Sequence, residues 1–284
     1  MISDLKIKGH SGCSLNILEN SDGRLIVEKS CKPSYIPRLC KQQEKQQAAY
    51  EKAISGDYTG INVPKSQWKD NKILMDYIHS MSFIEQFERA TVDDIRKLTQ
   101  ALISYIDKEN SLSENVEIDK SVFAGKIESV FKTCFNNYLI DMKDVVKYFT
   151  LCKEKIDSYD KIVLPVGVCH GDLTFSNILF TESGIYIIDF LDSFIETPLQ
   201  DIVKIRQDSK YGWSTMMTDQ SYNDTHVKTV LDYIDRHIHS YFEKYEFYKY
   251  YDMLQYINIL RILPYVKEEK VYRRVCEILD SMKL

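Results

Sequence analysis

Near residue 80 the hydrophobic period changes, and this limits the possible folds more sharply than any other feature of the chain. Before that point apolar residues recur at every second position in "LKIKG" and "SLNILEN", on either side of "HSGC", and again in "LIVEKS" after the Asp-Gly turn of "SDGR". Side chains that alternate between two faces belong to strands, and a turn of this kind returns the chain antiparallel, so three strands in a meander are expected. "IPRLCKQQEKQQAAYEKAI" breaks the alternation. Its Pro37, its many helix formers and its apolar Leu39, Ala48, Ala49 and Ile54 predict a helix of about 18 residues. "INVPKSQW" and "KILMDYI" then predict two further strands around a "KDN" turn.

From "SFIEQFERA" onward the period is that of a helix. "TVDDIRKLTQALISYID" starts at Thr91 with two acids in its first turn, "SVFAGKIESVFKTCFNNYLIDM" and "DVVKYFTLCKEKIDSY" continue the helical run, and short strands at 176–180 and 184–188 flank "TESG". The pattern predicts an α+β protein. A small antiparallel sheet lobe occupies residues 1–79 and a large, mainly helical lobe residues 80–284.

At 284 residues such a chain buries roughly three quarters of its unfolded surface and needs no staple. Its seven cysteines are scattered without a CxxC pair, which argues against a disulfide framework and a zinc site and fits a reducing, cytoplasmic setting. The N-terminal "MISDLKIKGH" carries charge too early for a secretory signal, and no apolar run reaches the roughly 18 residues of a membrane span. A net charge of −5 with both signs mixed gives no support to a nucleic-acid partner. Neither nucleic acid nor membrane is expected as a partner. Tyr is abundant at 20 residues, and the run "YFEKYEFYKYYDMLQYI" is expected to form a half-buried helical face rather than a ligand cage.

The chemistry is concentrated in "VCHGDLTFSNILF", where polar side chains lie between two apolar runs. An Asp, an Asn five residues later, a short hairpin and a second Asp opening a loop meet the needs of metal-assisted phosphoryl transfer, which depends on alignment and charge compensation more than on covalent help. Asp172 can accept the proton of an attacking hydroxyl. Asn177 and Asp189 offer the hard oxygen donors that Mg²⁺ favours, and the hairpin between them brings both to one end. Asp and Asn also cap turns, so the spacing alone does not exclude a structural role.

"HGDLTFSNIL" followed by "IIDF" resembles the aminoglycoside phosphotransferase and choline kinase-like group, the small-molecule branch of the protein-kinase-like fold, which carries His-Gly-Asp where protein kinases have His-Arg-Asp. The resemblance is dense over residues 168 to 192 and loose elsewhere. It implies a bilobal kinase-like fold, ATP (or GTP) and Mg²⁺, Asp172 as catalytic base, Asn177 and Asp189 as metal ligands, and His170 as a member of the catalytic loop. Asp192 matches an acidic position common after the family's Asp-Phe.

A kinase-like fold further implies a cation against the nucleotide phosphates. Lys29 on the third strand is the choice, with Val27 on the same face as the floor of the adenine pocket and Glu44 as ion-pair partner, Glu51 being the fallback. The phosphate loop falls on "GHSGCS", between residues 9 and 14, where the amides around Ser11 and Gly12 would approach phosphate; a plain hairpin turn explains the same residues. The hinge is "LMDYIHS", whose backbone from Asp76 to Ile78 would meet the purine. Asp201 is expected to brace the catalytic loop, with helix capping as its alternative.

The resemblance implies a small-molecule hydroxyl as acceptor. Arg206, Asp208, Trp213 and Arg261 are candidates to line its site, each also explicable as structural, and the arginines suit an anionic or polyhydroxy acceptor better than a cation. The wording of "HGDLTFSNILF" and "DFLDSFIETPLQDIVKIRQD" resembles bacterial phosphotransferases of surface-polysaccharide synthesis, which implies a sugar or polyol. Other readings are an aminoglycoside or choline/ethanolamine kinase, a protein kinase, disfavoured by the lack of an "APE" segment, and a nucleotide-binding pseudokinase. The oligomeric state is not legible.

Overall fold

The computed structural model describes residues 6–8, 13–20, 22–218, 220–282 and 284. Strands β1 (Lys6–Lys8), β2 (Ser14–Glu19) and β3 (Leu25–Ser30) precede helix α1 (Ile36–Ile54). Three short strands follow, β4 (Ile61–Asn62), β5 (Ser66–Lys69) and β6 (Lys72–Asp76), and then helices α2 (Phe83–Arg89) and α3 (Val92–Ser111). β7 (Glu114–Ile118) leads into α4 (Lys120–Cys134) and α5 (Met142–Asp157), and β8 (Ile162–Val166) precedes the hairpin of β9 (Ile178–Thr181) and β10 (Gly184–Ile187). The remainder is helical: α6 (Pro198–Ser209), α7 (Trp213–Met216), α8 (Asp224–Phe242), α9 (Tyr251–Leu260) and α10 (Glu269–Ser281). The protein is α+β, as the change of period implies.

The chain packs as two compact units, one of Met1–Lys108, His170–Ser193 and Thr218–Val230, the other of Glu109–Cys169, Phe194–Met217 and Leu231–Leu284. In the first unit the expected meander forms an antiparallel sheet of order β1-β2-β3-β6-β5. Asp70 and Asn71 close the β5–β6 hairpin with positive φ at both positions, the conformation a two-residue turn needs to match strand twist. "INVPKSQW" is not one strand. Residues 61 and 62 pair in parallel with β10, and only after Pro64, which has no N–H for a ladder, does the chain join the larger sheet.

Helix α1 packs on β5 and β6 through Leu39, Gln42, Gln43, Gln46 and Ala49. Of the apolar positions expected to anchor it, Ala48 lies on the opposite side and Ile54 is 67% exposed. Glutamines replace them because the sheet offers polar partners: Gln43 Nε2 donates to Ser66 and Gln46 Nε2 to the Pro64 carbonyl. Burying these amides is tolerable because they are paired.

The second unit pairs β7 with β8 antiparallel and packs α4, α5, α6 and α10 against the nearly all-buried α9. The helical run expected from 121 onward is interrupted where Asp141 caps α5 by accepting from the Lys143 amide. The Tyr-rich stretch is interrupted too. Phe242 ends α8, a 3₁₀ turn spans Glu246–Tyr250, and Tyr248, Tyr250, Tyr251 and Tyr256 are buried rather than half-buried on one helical face. Among the described residues no helix is long and apolar enough to cross a membrane.

Candidate active site

Gly171 has φ of +88°, and a Cβ there would lie 2.2 Å from the Leu191 carbonyl oxygen, so only glycine fits between the two loops. The Leu191 amide in turn donates to the His170 carbonyl at 3.0 Å. His170 is fully buried, with its ring 4.3 Å from that of Phe190. Its Nδ1 accepts the Asp172 N–H at 3.2 Å, which assigns the proton to Nε2, 2.9 Å from the Ile188 carbonyl. Burial lowers its pKa to about 4, so the ring is neutral near pH 7 and holds residues 172 and 188 together without adding charge.

Below this loop Phe175 is buried against Phe83 and Phe87. Above it the Asn177 Nδ2 donates to the Asp172 carbonyl at 2.8 Å and to its Oδ2 at 3.2 Å. The five-residue spacing read from the sequence is thus a side-chain clasp. The β9–β10 register places Ile178 opposite Ile187, and the Ile188 amide donates to the Asn177 carbonyl at 3.0 Å, so the hairpin brings residues 177 and 188 to one end.

Asp189 follows with φ of 64°, a left-handed backbone that costs a non-glycine residue about 1–2 kcal/mol. Its carboxylate is held across 160 residues of chain: Lys29 Nζ lies 2.5 Å from Asp189 Oδ1 and 3.2 Å from Gln42 Oε1. Two further residues of α1 reach the same loop, Arg38 Nε to Asp192 Oδ1 at 2.9 Å and Lys45 Nζ to the Leu191 carbonyl at 2.6 Å. Arg38, Gln42 and Lys45 stand four and three apart and therefore share one stripe of the helix. That spacing is the signal by which sequence reasoning could have found them.

Glu44 is not the partner of Lys29. It is exposed and accepts from Cys40 Sγ, and the fallback Glu51 is exposed and accepts from Gln47. The reason is helix phase: at about 100° per residue Glu44 lies some 200° from Gln42, on the far side of α1. Val27 does share a face with Lys29, opposite Ile17 and Met75. In the hinge the Asp76 amide donates to the Lys65 carbonyl and the Tyr77 amide to that of Leu25, while the Ile78 amide has no such bond among the described residues. Ser11 and Gly12 lie outside the described residues. Asp192 and Arg38 are each nearly half exposed, so their ion pair contributes little by itself.

The remaining candidates belong to the second unit. Asp201 is fully buried in the first turn of α6, and Thr197 rather than Asp201 caps that helix. Arg206, 3% exposed, makes a two-pronged pair with Asp235, donates to Tyr248 Oη and lies 4.5 Å from the Tyr251 ring centroid. It lines a cavity of ≈ 570 Å³ with Lys210, His239, Lys244 and Glu243, to which no residue of the His170–Asp189 cluster contributes. Asp208 is buried and accepts from the amide and hydroxyl of Ser214. Trp213 and Arg261 are half-buried.

Among the described residues no three His, Cys, Asp or Glu side chains gather as a metal site. The oxygen pair of Asp189 and Asn177 fits a hard cation that retains water or phosphate ligands, because the Asn177 amide turns its nitrogen to Asp172 and leaves Oδ1 without a hydrogen bond among the described residues.

Residues 141–228 match the phosphotransferase enzyme family, APH. No curated protein matches the chain by sequence. Among solved structures, the chain is similar to a candidate fructosamine-3-kinase of Thermobifida fusca (TM-score 0.59, 13% identity, covering 98% of this chain and 92% of that one). A glucosamine kinase in complex with glucosamine, ADP and inorganic phosphate gives a TM-score of 0.58 at 10% identity, with 99% and 93% coverage. The ADP-bound aminoglycoside phosphotransferase APH(2'')-Ib gives a TM-score of 0.56 at 13% identity, with 98% and 93% coverage. The fold is that of the protein-kinase-like small-molecule kinases.

Proposed function

We propose that the protein is an ATP- and Mg²⁺-dependent phosphotransferase acting on a hydroxyl of a small molecule, with GTP as an alternative donor. The observation that carries this reading is the convergence of Lys29, Asp172, Asn177 and Asp189 on one hydrogen-bonded cluster joined through His170. Residues 1–79 then act as the nucleotide lobe and residues 80–284 supply the catalytic loop and the acceptor site.

In this reading Asp172 takes the acceptor hydroxyl proton, its carboxylate aimed by the Asn177 amide and its backbone by neutral His170. Lys29 has three N–H donors, of which Gln42 and Asp189 engage two among the described residues, so the third would serve phosphate oxygens. Asn177 Oδ1 and Asp189 would hold Mg²⁺, which when bound supplies charge compensation for the phosphates. Val27 offers an apolar floor to the purine and Ile78 an amide.

For the acceptor we favour a sugar or polyol. The structures similar to this chain include a kinase bound to glucosamine, and the segment wording noted above points to surface-polysaccharide metabolism. Arg206 no longer argues for an anionic acceptor, since Asp235 already neutralises it. The scatter of the seven cysteines, without a CxxC pair, supports a reducing, cytoplasmic location. The test is ATP consumption across sugars, amino alcohols and aminoglycosides: turnover with a polyhydroxylated acceptor is expected, and transfer to peptides but to no metabolite would overturn the reading.

A further inference from the structure

Two cysteines stand at the start of the β2–β3 ladder. Its last paired residues are Ser14 and Ser30, so Cys13 and Cys31 lie one step further, opposite each other. The Tyr77 amide donates to the Leu25 carbonyl, which marks the odd-numbered residues of β3 as bonded to β6 and the even-numbered ones as bonded to β2. Cys13 and Cys31 therefore oppose each other at a site where the β2–β3 ladder carries no backbone bond. There Cα atoms approach to about 4.5 Å, within the span a disulfide bridges. The two thiols are close enough for Cys13 to help raise the Cys31 pKa. Both are half-buried and free. By strand alternation they share the face of Leu15 and Lys29.

We propose that Cys13 and Cys31 form a reversible redox pair, closing to an intrachain disulfide beside Lys29 and thereby weakening nucleotide binding. The oxidant is a low-molecular-weight disulfide such as oxidised glutathione. The Cys13 thiolate attacks one of its sulfurs, forms a mixed disulfide and releases one glutathione thiolate. The Cys31 thiolate then attacks the Cys13 sulfur, the Cys13–glutathione bond breaks, and the second glutathione thiolate leaves. Two electrons pass from the pair to glutathione, and the two cysteine protons end on the released glutathiones. Burial, reinforced by Cys13, holds the Cys31 thiol above its ordinary pKa, so closure is slowed near neutral pH and becomes faster as pH rises. The bond would pin residue 13, at the end of the candidate phosphate segment, to the strand that carries Lys29.

The nucleotide half of this inference rests on the proposed function; the disulfide half does not. The full chain is treated with oxidised glutathione, alkylated and digested with trypsin, and the peptides of residues 9–24 and 30–38, which hold Cys13 and Cys31, are read by mass spectrometry without reduction. A single cross-linked species of these two peptides is expected, reverting with dithiothreitol, while C31S leaves Cys13 as a glutathione adduct. Adducts at both positions without a cross-link, or cross-links to Cys40 or Cys276 instead, would overturn the pair. Binding of a fluorescent ATP analogue should weaken several-fold on oxidation in the native chain, recover with dithiothreitol, and stay unchanged under the same oxidation in the double variant C13S/C31S. A cross-link that leaves that affinity unchanged would overturn the nucleotide effect, whereas failure of the reduced chain to bind any nucleotide would count against the proposed function and not against the pair.

Discussion

Lys29 in the first unit and Arg206 in the second are both cations of low exposure, at 5% and 3%, held by a carboxylate, yet their surroundings differ in kind. Around Arg206 four of five N–H donors are matched by Asp235, Tyr248 and His239, and the Tyr251 ring covers its face. Around Lys29, among the described residues, one donor of the ammonium and the amide oxygen of Asn177 stay unmatched, and the backbone at Asp189 is held left-handed. A closed network contributes rigidity. An open one, kept at a cost in strain, is where a ligand can complete the bonding. Burial and charge by themselves do not distinguish the two.

The contrast is broken or sharpened by substitution. Asp172→Ala should lower turnover about 10²- to 10⁴-fold, the usual range for a positioned general base, and leave nucleotide affinity unchanged by titration calorimetry. Unaltered turnover would remove Asp172 from the chemistry. Arg206→Met should act on stability instead. Leaving the part-buried Asp235 without its partner should cost about 3 kcal/mol in urea unfolding, at the low end for a buried pair, while the folded protein keeps its affinity for nucleotide. A loss of affinity without loss of stability would reverse the assignment of the two clusters.

His170 adds a pH signature. Its folded pKa of about 4 lies below the ordinary 6.5, so between those values the unfolded chain binds a proton that the native ring refuses. Stability from this group is complete above the unfolded pKa and falls as pH drops from about 6.5 to 4, by about 3 kcal/mol in all. Urea midpoints measured across that window should show the slope in the native chain and lose it in His170→Gln. Gly171→Ala should cost about 2 kcal/mol from the left-handed backbone, with further loss from contact with the Leu191 carbonyl, and lower turnover with it. Glu44→Ala should have the smallest effect, leaving the KM for ATP within about twofold, a change worth under 1 kcal/mol. Gln42→Ala should raise that KM by a clearly larger factor. Equal effects of the two would restore Glu44 as the partner of Lys29.

The sequence by itself determined what depends on neighbours in the chain. Alternation set the meander and placed Val27 and Lys29 on one face; the Asp70-Asn71 pair shaped the β5–β6 turn; Asp172 and Asn177, five apart, close on each other; and the β9–β10 hairpin carries residue 188 back to residue 177. These follow from local backbone geometry, in which a period of two or a short turn has few solutions. Tertiary structure alone decided which far-separated groups meet. It chose Gln42 over Glu44, joined Lys29 to Asp189, brought Arg38 and Lys45 to the loop at 191–192, and closed Asp235 and the tyrosines around Arg206. Composition does not encode the rotation of a helix on its sheet or the packing of one helix on another. Those are settled by which faces fit, and a shift of two residues along α1 turns a side chain from the sheet to solvent.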